Sequence, residues 1–357
     1  VNDVAELKKY VAVHAAGQGM AGYATVLGRI SHDGQGQGAW VTEWSAEAER
    51  LAAAGRHLDA CRHHIMARFP YVDGPARQTA LERGVAELDL WRQGKDIHRL
   101  DIELDGGRLA CWQTGLSTTD RRPLLLIMGG NVSVKEQWAP ALLPMRRLGM
   151  AAIVLDMPGC GENTLPYDAA SPAMLSSLLD AVADRADVTQ TYALALSFSG
   201  HMALRCAVAD RRIRGVATVG APVNGFFTDR DWQARVPRIT TDALAHMTGT
   251  SHERLAGELR GWAITADELA ALDIPVAYVA SLRDEVIPPG ERQLLRDRVR
   301  RLELLEFDDV HAAPGHVAET RIWLVRSLLR MRRAGVLPRM VAGLLWHGAR
   351  LRALTPR

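Results

Sequence analysis

The spacing of apolar residues changes along the chain, and each change predicts a different kind of element. Trp44, Ala48, Leu51, Leu58, Cys61 and Ile65 recur at steps of three, four or their sum, which places them on one face of an α-helix that Phe69-Pro70 brings to an end. Ahead of it, the glycines between Gly17 and Gly38 stand among polar residues, a mixture that favours loop. From Ile97 the period shortens. Ile97 to Leu104, then Asp105-Gly106-Gly107, then Arg108 to Thr114 read as two strands joined by a tight turn, because glycine supplies the positive φ that hairpin turns need.

From Pro123 onward, short apolar runs alternate with helix-like stretches, the pattern of a parallel sheet covered on both faces. The runs are Leu124 to Met128, Ala151 to Leu155, Thr191 to Leu196, Val216 to Val219, Val276 to Ala280 and Leu302 to Phe307. With the hairpin they predict an α/β fold built on an eight-stranded, mostly parallel sheet. Between the fourth and fifth runs, Val223 to Leu272 carries Phe226, Phe227, Trp232 and Trp262 but no convincing strand, and is expected to form a helical cap over the strand ends.

Composition removes several classes of function. The 357 residues include 43 Lys and Arg against 41 Asp and Glu, a formal net charge of +2, which is a poor basis for a dedicated nucleic-acid binder that must neutralise many phosphates. At 48% hydrophobic and 24% charged residues, the chain has the make-up of a globular protein. Cys61, Cys111, Cys160 and Cys206 lie far apart with no C-x-x-C pair, so zinc-ribbon and thioredoxin-type sites are not expected, and the thiols read as reduced. No apolar run approaches the roughly 18 residues that span a bilayer, and no basic-then-apolar leader opens the sequence; the expectation is a cytoplasmic protein without membrane contact.

The chemistry concentrates at strand ends. Leu194-Ala195-Leu196-Ser197-Phe198-Ser199-Gly200-His201 follows a predicted strand and precedes a predicted helix, Met202 to Ala209. A serine at such a turn can be held in a strained conformation with its hydroxyl above the sheet, provided that the residues two before and two after are small. Here they are Ala195 and Ser199 rather than two glycines. Ser199 is a rival nucleophile, but His201 would then occupy the small-residue position, so Ser197 is preferred. An acid and a histidine follow in the order such a site requires, each just after its own strand. Asp284 lies in Ser281 to Pro288, after the fifth run, and His311 follows Asp308-Asp309-Val310 after the sixth. Glu285 reads as a solvated charge, and His316 as a weaker rival to His311. Met128-Gly129-Gly130-Asn131 can aim backbone N–H groups at a developing oxyanion, with Gly130 or Asn131 giving one donor and the Phe198 amide the other. Asp156, in Asp156-Met157-Pro158-Gly159-Cys160-Gly161, reads as part of a connecting loop.

These motifs, in this order, resemble the α/β-hydrolase superfamily from about Ile97 to Leu329. Trp40, Trp44 and Ala67-Arg68-Phe69-Pro70 resemble, within it, the branch of FrsA-like esterases, the fungal polyketide-shortening hydrolase and the pseudooxynicotine hydrolase, in which the N-terminal segment contributes to a cap. The resemblance implies Ser197 as nucleophile, Asp284 as orienting acid and His311 as base. It implies the α/β-hydrolase fold with a cap built from residues 1–96 and 223–272, a core of 97–222 and 273–334, and a basic amphipathic helix at 335–357. It further implies cleavage of an ester, thioester or β-diketone-like C–C bond in a medium-sized, polyketide-like or aromatic substrate. Two alternatives stay open: acetate elimination or acyl transfer, as in enzymes of tetronate-type polyketide pathways that this site also resembles, and a catalytically silent binding protein.

Weaker signals complete the picture. His57, Cys61 and His64 recur along one helix face, a spacing that suits packing better than a metal site, and no metal or cofactor is expected. Trp138, Phe226, Trp232 and Trp262 are candidates for the substrate pocket. From Arg321 to Arg357 there are nine arginines and no acidic residue. That segment reads as a helix packed on the sheet followed by one with a solvated basic face; an acidic partner such as an acyl carrier protein, held by Arg330, Arg332 and Arg333, is the functional alternative. The oligomeric state is left open, a homodimer included.

Overall fold

The computed structural model describes residues 2–354. Five helices come first: α1 (Val4–Gly17), α2 (Tyr23–Arg29), α3 (Trp40–Ala53), α4 (His57–Arg68) and α5 (Pro75–Trp91). Two of them correct the sequence reading. The stretch between Gly17 and Gly38 contains the helix α2, which buries Val26 although glycines flank it. The single helix expected from Trp44 to Ile65 is two, α3 and α4, because Gly55 takes a positive φ of 72° and turns the chain between them. The apolar spacing survives the break because both helices turn the predicted face inward.

The sheet consists of β1 (His98–Leu104), β2 (Gly107–Thr114), β3 (Pro123–Met128), β4 (Ala151–Leu155), β5 (Asp187–Ala195), β6 (Ile213–Val219), β7 (Val276–Ser281) and β8 (Leu302–Phe307). Their order is β1-β2-β4-β3-β5-β6-β7-β8. Pairings β1–β2 and β2–β4 are antiparallel and all the others parallel. Helices α6 (Ala173–Ala181) and α7 (Phe198–Ala209) flank β5 in sequence. After β6 come α8 (Gly225–Thr228), α9 (Arg230–Gln233), α10 (Arg238–Thr248), α11 (His252–Leu259) and α12 (Ala266–Ala271), then α13 (Gly290–Arg298) after β7. The chain closes with α14 (Val317–Met331) and α15 (Val336–Leu354).

Alternation along the central strands assigns the two faces. Leu124, Leu126 and Met128 of β3, with Ala151, Ile153 and Leu155 of β4, point into a core shared with α6, α7 and the insertion between β6 and β7. Leu125, Ile127, Ala152 and Val154 point the other way, into a core that also contains Leu7, Trp40, Trp44, Ile65 and Leu88. The N-terminal helices therefore form a layer on the sheet itself. That layer brings α1 to the rim where β7 and β8 end, since the Tyr10 hydroxyl bonds Glu285.

All four cysteines are buried and free. Among the described residues no helix is long and apolar enough to cross a membrane. The outward side of α15 differs from expectation: beside exposed Arg339 it carries Met340, Val341, Leu344 and Leu345, all exposed, Leu344 to 71%, so this face is apolar as well as basic. Residues 355–357 of the predicted basic segment lie outside the described residues. Of the three arginines singled out for docking, Arg330 pairs with Glu303 and Arg332 donates to the Leu148 carbonyl, whereas Arg333 is exposed, with no side-chain ion pair among the described residues.

Candidate active site

Parallel strands leave their C-terminal ends on one rim, and the predicted residues meet there. Ser197 sits between β5 and α7 with φ 57° and ψ −125°, a conformation that a non-glycine residue adopts only under constraint. Its amide is tied to the Val219 carbonyl at 2.9 Å, while its carbonyl caps α7 by accepting from Gly200. The elbow tolerates Ser199 because the serine side chain, fully buried, turns away and donates to the Leu196 and Met128 carbonyls. The close approach of helix to sheet is taken up one residue later. A Cβ on Gly200 would stand 2.1 Å from Thr218 Oγ1 and 2.9 Å from the Ala195 carbonyl.

Ser197 Oγ lies 3.2 Å from His311 Nε2, and His311 Nδ1 lies 3.0 Å from both carboxylate oxygens of Asp284. Asp284 is fixed in turn, since its Oδ1 accepts the Val286 and Ile287 amides at 2.9 and 2.8 Å. The side chains are 15% exposed for His311 and 5% for Asp284, so the pair works largely out of water. Burial disfavours a charge on His311, but neighbouring Asp284, which also hydrogen-bonds it, and Glu285 outweigh burial and raise its pKa above the ordinary 6.5.

Several supports of this arrangement escaped the sequence reading. Glu285 is not a solvated charge: one oxygen accepts the His311 amide at 3.0 Å and the other the Tyr10 hydroxyl at 3.0 Å. Gly220, at the end of β6, backs the imidazole; a Cβ there would come within 2.8 Å of His311 Cε1. Its position just after a strand was the available signal, but one glycine among 31 carries little weight. His316, the rival histidine, stacks on Phe307 and faces Glu319 at 3.2 Å.

The loop after β3 lies opposite the serine, because a Cβ on Gly130 would stand 3.2 Å from Ser197 Cβ and 3.8 Å from its Oγ. The Phe198 amide opens α7, where first-turn N–H groups lack intrahelical acceptors. Asn131 is buried, with its side-chain amide directed to the Thr240 carbonyl and its own carbonyl accepting from the Cys160 thiol. Asp156 is more than part of a loop. It accepts the Lys135 amide at 2.6 Å and the Lys135 ammonium at 3.2 Å, and so locks the loop after β3 to the end of β4. Burial opposes the charge of Lys135, but Asp156, Glu136 and Glu162 surround it and hold it above the ordinary lysine range.

The four aromatic candidates separate. Phe226 packs edge-on against Phe198, beside the serine. Trp138 Nε1 lies where a Cβ on Gly129 would stand, and Trp232 donates to the Val286 carbonyl two residues from Asp284. Trp262, in the insertion between β6 and β7, is edge-on to Tyr167 and its carbonyl is bonded to His201 of α7, four residues past Ser197. His57 bonds Glu87 at 2.8 Å, whereas Cys61 and His64 are buried in the helical layer.

A mostly parallel eight-stranded sheet carrying a serine elbow after β5, an acid after β7 and a histidine after β8 defines an α/β-hydrolase. Within that superfamily the chain belongs to the FrsA-like esterase family, whose profile matches residues 30–297. It is 21% identical over 288 residues to esterase FrsA of Vibrio cholerae, covering 73% of this chain and 69% of that one. The solved structure of wild-type AbyA5 is similar over 97% of this chain and 99% of its own, with 49% identity and a TM-score of 0.95. The 2,6-dihydroxy-pseudo-oxynicotine hydrolase shares the fold, with a TM-score of 0.67 at 18% identity over 94% of each chain.

Proposed function

We propose that this enzyme uses Ser197, His311 and Asp284 as a catalytic triad to cleave an ester, thioester or β-diketone-like C–C bond through an acyl-enzyme. The observation that carries the reading is the continuous chain from Ser197 Oγ through the imidazole to Asp284. In the first half-reaction, Nε2 of His311 takes the hydroxyl proton as Oγ attacks the carbonyl, and Asp284 holds the tautomer with Nδ1 protonated and offsets the imidazolium charge. The backbone amides of Phe198 and of Gly130 or Asn131 receive the oxyanion. The leaving group departs with the proton from Nε2. In the second half-reaction a water, activated by the same nitrogen, releases the acid.

The substrate is a medium-sized polyketide-like or aromatic acyl compound, a part of the proposal that rests on the resemblance of the cap segments, with Phe226, Trp138, Trp232 and Trp262 as candidate pocket walls. An acyl carrier protein docked through the basic C-terminal segment belongs to the same proposal. A second reading is favoured by the low exposure of Asp284 and His311. In it the same residues remove a proton and expel acetate to leave an alkene, or transfer an acyl group to an acceptor other than water, chemistry that gains from excluding water.

A fluorophosphonate probe tests the first step: a stoichiometric adduct on Ser197, absent from Ser197→Ala, is expected, and no adduct at all would mean a silent protein. Turnover in 18O-labelled water separates the two active readings. Hydrolysis must place solvent oxygen in the released acid, whereas elimination or transfer leaves it unlabelled.

A further inference from the structure

Three lysine or arginine side chains are fully buried among the described residues: Arg68, Arg77 and Lys135. Lys135 has three carboxylates within 3.2 Å. Arg77 has two, Asp33 at 2.6 Å and Asp73 at 2.9 Å. Arg68, 2% exposed at the end of α4, has no carboxylate of the described residues within ion-pair distance. Its guanidinium donates to the Pro70 carbonyl at 2.8 Å and the Val132 carbonyl at 3.0 Å, and Nε finds no acceptor. Burying a cation without a counter-ion is costly, and a guanidinium has five N–H donors to satisfy. Burial draws its pKa below the ordinary arginine value; Asp156 and Glu136 act on it only through space, without contact.

The position of this cation gives it a use. Val132 belongs to the loop whose Gly130 faces Ser197, so Arg68 touches that loop. His14 of α1, partly buried and packed on Phe69, the residue after Arg68, is near enough to feel the charges of both Arg68 and His311. Its imidazole is pushed down to about 4 by burial, with Arg68 and His311 adding, so near neutral pH it supplies no competing charge.

We infer that Arg68 is a substrate-binding residue, and that it receives a delocalised oxygen anion, a carboxylate or the enolate of a β-dicarbonyl, carried by the substrate away from the scissile bond. The ligand completes the ion pair that the chain leaves open, and the planar guanidinium suits two-oxygen recognition. The inference rests on the proposed function only for the location of the cleft.

Calorimetry on the full chain with Ser197→Ala tests it using two pairs of probes: 4-phenylbutyrate against 4-phenylbutyramide, and 5,5-dimethylcyclohexane-1,3-dione, largely enolate near neutral pH, against 3,3-dimethylcyclohexanone. At least one anion is expected to bind about tenfold more tightly than its neutral partner, the scale of a charge-assisted hydrogen bond, and the pair that responds identifies the anion. Adding Arg68→Gln should erase the preference and leave the neutral probe unchanged, whereas Arg68→Lys should keep part of it. A purely structural Arg68 would weaken charged and neutral probes alike. Equal affinities within both pairs, or a preference that persists in Arg68→Gln, overturn the inference. If Arg68→Gln does not fold, protection of wild-type Ser197 from fluorophosphonate by the anion but not its neutral partner supports the inference, and equal protection overturns it. Labelling of Ser197 without any anion preference removes this inference alone, while anion preference without labelling removes the acyl-enzyme reading alone.

Discussion

Glu285 accepts the backbone N–H of His311 at 3.0 Å, so the residue next to Asp284 holds the loop that carries His311. Tyr10 grips the second oxygen of the same carboxylate, which ties α1 to that loop. Glu285 also adds to the field that raises the His311 pKa. In the proposed mechanism His311 acts as base only when neutral, so activity should rise with pH through an apparent pKa above 6.5. In Glu285→Gln one of the groups favouring the cation is gone, and the acidic limb of the kcat/KM profile should move to lower pH. A limb that stays in place would detach Glu285 from His311.

The sign for stability runs opposite to that for activity. Because the folded pKa of His311 lies above the unfolded value, its ion pair with Asp284 stabilises fully below the unfolded pKa, and this contribution fades as pH rises through the folded one. Asp284→Asn should therefore lose most stability, relative to the parent, on the acidic side of neutrality. Thermal melts of both proteins across that range measure it.

Ser197→Ala should lower kcat by about 10³-fold or more and leave the fold intact, as removal of a triad member does elsewhere. Near-parental turnover would instead point to acid–base chemistry centred on His311. Circular dichroism and a fluorophosphonate control distinguish lost chemistry from lost structure.

Gly200→Val should destabilise by about 1–3 kcal/mol or prevent folding, because the added atoms meet Thr218 and the Ala195 carbonyl where α7 crosses the sheet. Gly220→Ala should act differently. Its Cβ meets the His311 ring, and the positive φ of 58° adds strain, so activity should fall by more than the loss in melting temperature explains. Equal stability losses with activity retained in Gly220→Ala would show that the imidazole can shift without consequence.

Asp156→Ala should cost about 3–5 kcal/mol, since it leaves part of the Lys135 charge uncompensated in a buried cluster. It also frees the Lys135 amide that anchors the loop after β3. Urea unfolding measures the first effect, and a fall in kcat in the protein that remains folded measures the second.

The strands were legible in the sequence because buried parallel strands are short continuous apolar runs, and β3, β4 and β8 begin or end within a residue of those runs. Ser197, Asp284 and His311 were legible because each follows its own strand, and parallel strands with crossover connections must deliver such positions to one rim. What sequence could not convey is contact between remote segments. The break at Gly55 is invisible to apolar spacing, which continues across it. Tyr10 meeting Glu285 spans 275 positions, and Gly220 beneath His311 and the unpaired charge of Arg68 exist only once separate layers pack. Local periodicity encodes which face of an element is apolar; which groups lose water together, and so which charges gain or lack a partner, is settled by packing in three dimensions.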